Sequence, residues 1–312
     1  MTIKHLVITG GGPYGFYSFG VLSQLKQKGV FHLKNIESIY ASSIGCLVGI
    51  LMVLKNISHD EVVQYIINKQ FLEFLKLTPD HIFNMYSKKG VYDIVALIKN
   101  LVEPIFYSEN VSPTITIKEF YEHYNVKLNF MTTNINDDFS EYCISLETQP
   151  DLPVYKAVAA SMSIPFIFYP INIGDMCLVD GGAVSNYPVH VCMKDYPDNE
   201  ENILGVYNKY NKDKTAIIVN QESSILTYTS AFVYQLMKNL DMAYKPTDLS
   251  PIKHDIAINI SGGCGILNKD VMTELLTDKD KRYALIKDGY LLADEYLKTI
   301  KYFDEAEQDE TD

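Results

Sequence analysis

Three places in this chain share one construction, an apolar run that stops abruptly at small residues. His5–Thr9 runs into Gly10-Gly11-Gly12-Pro13-Tyr14-Gly15, Ile36–Tyr40 into Ala41-Ser42-Ser43-Ile44-Gly45, and Met176–Val179 into Asp180-Gly181-Gly182. Short β-rich runs bounded by glycine read as strands handing over to a turn or a helix. In a sheet of parallel strands such junctions gather along one edge, and that edge is where sites form. The pattern predicts an α/β fold with a mainly parallel central sheet. Its edge would assemble unobstructed backbone N–H groups, a serine hydroxyl and a carboxylate.

The intervening segments agree. Phe16 to Lys28 carries Phe16, Phe19, Val21, Leu22 and Leu25 at helical spacing and closes on Gly29. Ile44–Leu54 is apolar on nearly every side, the pattern of a helix buried at the centre of a domain. Ser58 to about Asn110 reads as an amphipathic helical excursion, broken at Lys88-Lys89-Gly90, rather than as more sheet. Val126–Thr132, Tyr142–Ser145, Thr215–Val219 and Asp255–Ile260 read as strands. Tyr155–Met162, about Leu226 to Met242 and about Asp278 to Tyr302 read as helices. With 312 residues and no linker long enough to separate distinct cores, residues 1–302 are expected to form one domain. The acidic segment 303–312 is expected to be a disordered tail.

A net charge of −12 argues against nucleic acid, whose binding needs a basic face. Five widely spaced cysteines with no C-x-x-C pair predict neither a disulfide framework nor a zinc site. No Asp, Glu or His cluster has a calcium or zinc spacing, so no metal and no cofactor is expected. The N-terminus is too poor in apolar residues for a signal peptide, and the longest apolar run is about half a bilayer crossing. The expectation is a soluble protein, cytoplasmic or otherwise intracellular.

The three junctions carry the chemistry. Ser43 is the candidate nucleophile, because a serine on a sharp strand-to-helix turn needs small neighbours two residues away on each side. Ala41 and Gly45 meet that requirement, whereas Ser42 would have Tyr40 and Ile44 there. None of the seven histidines has the setting of a base; His190 lies in a run, Val189-His190-Val191, suited to packing. Asp180 is then the proton acceptor, left uncovered by Gly181 and Gly182. Gly10, Gly11, Gly12 and Gly15 form the candidate oxyanion segment, whose N–H groups would face a developing negative oxygen. Gly10-x-Gly12-x-x-Gly15 also fits a dinucleotide fingerprint, the mark of an oxidoreductase. Against that, Pro13 removes a donor and Glu37 comes too early to hold a ribose.

In this combination the sequence resembles the patatin-like phospholipase family. The resemblance rests on Gly10–Gly15, Ala41–Gly45 and Asp180–Gly182, with Gly20-Val21-Leu22, Ala160-Ser161-Met162-Ser163-Ile164-Pro165, Asn186-Tyr187-Pro188-Val189 and Ile286-Lys287-Asp288-Gly289-Tyr290 around them. It implies a three-layer α/β/α sandwich and a Ser43–Asp180 dyad that hydrolyses lipid acyl esters through an acyl-enzyme. The implied partner is a phospholipid or other acyl lipid, met in transient contact with a membrane surface. Two residues depart from the family pattern: Ala41 stands where glycine is usual, and Tyr14 where Arg or Lys is usual. An inactive lipid-binding protein of the same fold is the alternative. Phe166 and Phe168, in the irregular segment Ile164–Pro170, are candidates for lining an acyl-chain channel.

Overall fold

The computed structural model describes residues 2–71, 78, 85–210, 252–260 and 274–309, with some residues of 219–236. In chain order, β1 (His5–Ile8) leads to α1 (Gly15–Gln27), β2 (Ser38–Ser42), α2 (Ile44–Met52) and α3 (His59–Asn68). Then follow β3 (Gly90–Tyr92), α4 (Ile94–Ser108), α5 (Ile117–Tyr124), β4 (Lys127–Asn134) and β5 (Ser140–Ile144). The next elements are α6 (Val154–Ser161), β6 (Phe166–Phe168), β7 (Ile171–Ile173) and β8 (Met176–Asp180). After them come α7 (Val189–Asp195), β9 (Ile203–Tyr210), β10 (His254–Ile260) and α8 (Lys279–Asp309).

The main sheet runs β10-β9-β1-β2-β4-β8-β7, parallel from β10 through β4, with β8, β7 and β5 antiparallel. The chain builds outward from β1 through β2 to β4 and later returns to the other flank of β1 as β9 and β10. Strand order thus reverses beside β1, the place where open α/β sheets leave a crevice. Alternating side chains divide the two faces. Leu6, Ile8, Ile39 and Ala41 enter the larger core with α1 and α2, while Val7 and Tyr40 face a smaller one with Cys192 of α7. Helices cover both faces, giving three layers.

One edge of β4 is shared by two strands. β2 pairs with residues 127–131 and β8 takes over at 132–134, while β5 overlaps both on the opposite edge. The end of β2 therefore abuts the end of β8, and Ser43 meets Asp180. Gly181 sits at this seam, where a Cβ would run into the Met131 carbonyl.

α1 and α8 cross at glycines. A Cβ on Gly20 would strike the Ile286 carbonyl, and one on Gly289 the Tyr17 carbonyl. These glycines belong to two of the segments that carry the family resemblance.

Several expectations need correction. The strand β9 beside β1 lies at Ile203–Tyr210, a stretch whose central Gly205 and polar end obscure its period. Residues 215–218 of the expected strand at Thr215–Val219 and most of the helix from Leu226 to Met242 lie outside the described residues. The helical excursion includes a short strand, β3, which pairs with β6 because Val91 and Tyr92 suit an extended chain. α8 runs from Lys279 past Tyr302 to Asp309. Glu, Ala and Gln are good helix formers. Among the described residues no helix is long and apolar enough to cross a membrane.

Candidate active site

β2 ends at Ser42 and α2 begins at Ile44, leaving Ser43 alone to turn the chain, at φ 51 and ψ −129. An L-residue rarely adopts this conformation, and holding it costs on the order of 1–3 kcal/mol. The surroundings fix it. The Ser43 N–H donates to Ser161 Oγ (2.8 Å), and that hydroxyl donates to the Met131 carbonyl (2.6 Å), tying the turn to α6 and β4. Gly45 passes so close to β1 that a Cβ would lie 2.6 Å from the Ile8 carbonyl oxygen and 2.7 Å from that of Thr9. Ala41 is buried in β2, and Ser42 stays within the strand with its hydroxyl buried and unpartnered among the described residues.

Ser43 Oγ donates to Asp180 Oδ2 at 2.7 Å. The other carboxylate oxygen accepts the Gly182 N–H at 2.7 Å, and the Asp180 carbonyl accepts Thr133 Oγ1. Asp180 is 2% exposed and Ser43 5%. Burial raises the Asp180 pKa to about 6, against the lowering effect of its bonds from Ser43 and Gly182. A carboxylate tuned in this way is ionised at neutral pH yet far more basic than one in water.

The four glycines of the first junction do different things. Gly10 N donates to the Asn186 carbonyl (3.0 Å), and Gly15 N turns inward to the carbonyls of Gly12 and Pro13. Neither N–H is available to an oxyanion, which corrects the expectation for Gly10 and Gly15. Gly10 serves instead as a close-packing residue, since a Cβ there would lie 3.0 Å from Ser43 Cβ. Gly15 lies against Ile44, where a side chain would collide. Gly11 (φ 155) and Gly12 (φ 55) adopt backbone angles that L-residues disfavour, just ahead of the positive end of α1. They remain the candidate donors.

A cavity of about 170 Å³ opens beside Ser43, lined by Gly12, Phe16, Ile44, Leu97, Met162 and Phe168 among other apolar residues. Phe168 faces it, whereas Phe166 is 53% exposed and does not belong to its wall. His190 bonds Glu141 at 2.9 Å, an ion pair away from Ser43 when protonated. The four described cysteines are free, and Cys264 lies outside the described residues. Ser161 and Asn186, which support the site, stand in segments that flank the three junctions, but their spacing alone gives them no role.

A model of the patatin-like phospholipase family matches residues 6–193. The probable lipid hydrolase 463L of Invertebrate iridescent virus 6 is 26% identical over 254 residues, 80% of either chain. The uncharacterized protein R571 of Acanthamoeba polyphaga mimivirus is 26% identical over 204 residues, 65% of either chain. Among solved structures, VipD from Legionella pneumophila shares the fold, with a TM-score of 0.51 at 16% identity over 95% of this chain and 67% of that one.

Proposed function

Because the chain belongs to the patatin-like phospholipase family, we propose that it is a lipid acyl hydrolase of phospholipase A type, working through Ser43 and Asp180. The reading is carried by one observation: Ser43, at the wall of an apolar cavity, donates its hydroxyl at 2.7 Å to the buried carboxylate of Asp180. Ser43 Oγ attacks the ester carbonyl as its proton passes to Asp180 Oδ2. The carbonyl electrons move onto oxygen, facing the N–H groups of Gly11 and Gly12 and the start of α1. Collapse of this intermediate expels the alcohol, which takes the proton from Asp180, and leaves an acyl-Ser43 ester. Water then gives its proton to Asp180 while attacking the acyl group, and the fatty acid leaves as Ser43 regains its hydrogen.

The apolar cavity suits the acyl chain, with Phe168 along its wall. Transient contact with a lipid surface delivers the substrate. Residues 1–302 form the catalytic domain in this reading, supported by the packing of α8 on α1. The test is a lipid-panel hydrolysis assay of the wild type beside Ser43→Ala and Asp180→Asn. Each variant is expected to lose activity about a thousandfold, and the double variant little more, because members of one catalytic unit are non-additive. Full activity in a folded Asp180→Asn would overturn the dyad. Lipid binding without hydrolysis in the wild type would establish the inactive alternative.

A further inference from the structure

β9 runs on past the end of β1. The two strands pair in parallel with Ile8 opposite Val206, so two residues further along Gly10 comes beside Asn208. There Asn208 Nδ2 donates to the Gly10 carbonyl at 2.9 Å. Thr9 Oγ1 approaches the same oxygen at 3.1 Å, but its one proton is shared with the Asn186 carbonyl at 3.2 Å. Asn208 Oδ1 is sealed within the fold, with no hydrogen-bond partner among the described residues. A buried acceptor left unpaired is costly, and an apolar side chain of the same shape would avoid that cost. What the amide adds is its donor. Exchanging its two ends would set oxygen against the Gly10 oxygen, so the hydrogen bond fixes which end is nitrogen.

The bond has a consequence on the far side of the peptide. In a planar trans peptide the carbonyl and the following N–H point in opposite directions. β1 lies between β9 and β2 in the sheet. Drawing the Gly10 carbonyl toward β9 therefore turns the Gly11 N–H toward the side of β2, whose end leads into Ser43. Gly10 itself is so near that a Cβ on it would lie 3.0 Å from Ser43 Cβ. The peptide is flanked by two glycines, which accept either sign of φ, so the backbone alone does little to prevent it from flipping. A flipped peptide would present a carbonyl oxygen where a donor is needed. The next peptide is held from within its own loop, the Gly11 carbonyl accepting the Tyr14 N–H at 3.3 Å.

We propose that Asn208 is a positioning residue for the reaction, holding the Gly10 carbonyl so that the Gly11 N–H faces the oxyanion formed on attack by Ser43. It touches no substrate atom and acts through one peptide group. The proposal deepens the hydrolase reading and rests on it.

The test compares wild type, Asn208→Leu and Asn208→Asp at pH 8. Leucine keeps the approximate shape without a donor, and an ionised carboxylate exchanges the donor for a second acceptor. The first readout is turnover of a short-chain butyrate ester. Losing an oxyanion donor outright costs about 10²–10³ in kcat, so a donor free to turn away should cost at least about tenfold, with KM unchanged. The second readout is calorimetric binding of octaneboronic acid, with octanol as the uncharged control. The boron takes the Ser43 oxygen as the serine proton passes to Asp180, giving a tetrahedral anion with an oxygen in the oxyanion position. Its affinity should fall in both variants by about the same factor as kcat, while octanol binds as in wild type. Melting temperature is followed alongside. Wild-type kcat and boronate affinity in both variants, or in whichever of them folds, would overturn the proposal while leaving the hydrolase reading intact. So would a raised KM and weaker octanol binding in step with a lower melting temperature, the mark of a purely structural role. Boronate binding equally well to wild type and Ser43→Ala, with no ester turnover by either, would instead overturn the hydrolase reading and this proposal with it.

Discussion

Asp180→Asn should make the protein more stable, and by an amount that depends on pH. The Asp180 carboxyl has a pKa of about 6 in the fold, against an ordinary value of 3.8. A raised acid pKa means that the native state favours the protonated form. Its contribution is therefore fully present below the unfolded pKa and is lost as pH rises through about 6. At pH 8 both states are ionised, and the gap of about two pH units, at roughly 1.36 kcal/mol each, amounts to about 3 kcal/mol of stability forgone. At pH 4 the same linkage leaves only about 0.5 kcal/mol. Asparagine carries no charge to desolvate and keeps an acceptor for the Gly182 N–H. For a chain of 312 residues the unfolding entropy is roughly 0.65 kcal/mol per kelvin, so the variant should melt about 4–5 °C above wild type at pH 8. The two should nearly coincide at pH 4. The assay is thermal unfolding followed by circular dichroism from pH 4 to 8. Parallel curves for wild type and variant across that range would refute the claim that burial holds Asp180 in an unfavourable ionised state.

In the proposed mechanism the same group sets the pH dependence of hydrolysis. Asp180 accepts a proton only when ionised, so kcat/KM should rise about tenfold per pH unit below about 6 and level off above it; a profile flat from pH 5 to 8 would count against it. Ser43→Gly should be at least as stable as Ser43→Ala, since glycine tolerates φ 51 where alanine keeps the strain, a comparison for urea denaturation. Gly45→Ala should cost several kcal/mol or prevent folding, because its Cβ would meet two carbonyl oxygens of the β1 end at 2.6 and 2.7 Å; expression and melting temperature report it. Phe168→Ala should alter acyl-length preference in a chain-length series, whereas Phe166→Ala, exposed and outside the cavity wall, should leave the profile unchanged.

What could be read from the residues alone was whatever is written locally. Ser43 and Asp180 announce themselves because each closes an apolar run and has glycine close behind it, so a strand end and a turn lie side by side in the chain. The extent of α1 and α2 follows from apolar periodicity in the same way. Long-range pairing is not written so. Nothing near Gly10 shows that its N–H is taken by the Asn186 carbonyl, or near Ser43 that its own N–H rests on Ser161. The strand β9 escaped because Gly205 interrupts its apolar run; in the fold a Cβ there would collide with Tyr187 Oη.

The glycine crossing of α1 and α8 has a consequence for the order in which the chain becomes competent during synthesis. Gly20 and Gly289 let two backbones approach with no side chain between them, so the seat of α1 is defined by a helix that begins at Lys279. α1 continues directly from the segment that holds Gly11 and Gly12. A growing chain emerges from the ribosome with Ser43, and later Asp180, while one face of α1 is still bare. The proposed pair, Ser43 and Asp180, is thus complete well before the support of α1 is. In the proposed mechanism, final alignment of the candidate glycine donors waits for α8, and a product truncated before Lys279 keeps its hydroxyl and carboxylate without the scaffold that aims those amides at them.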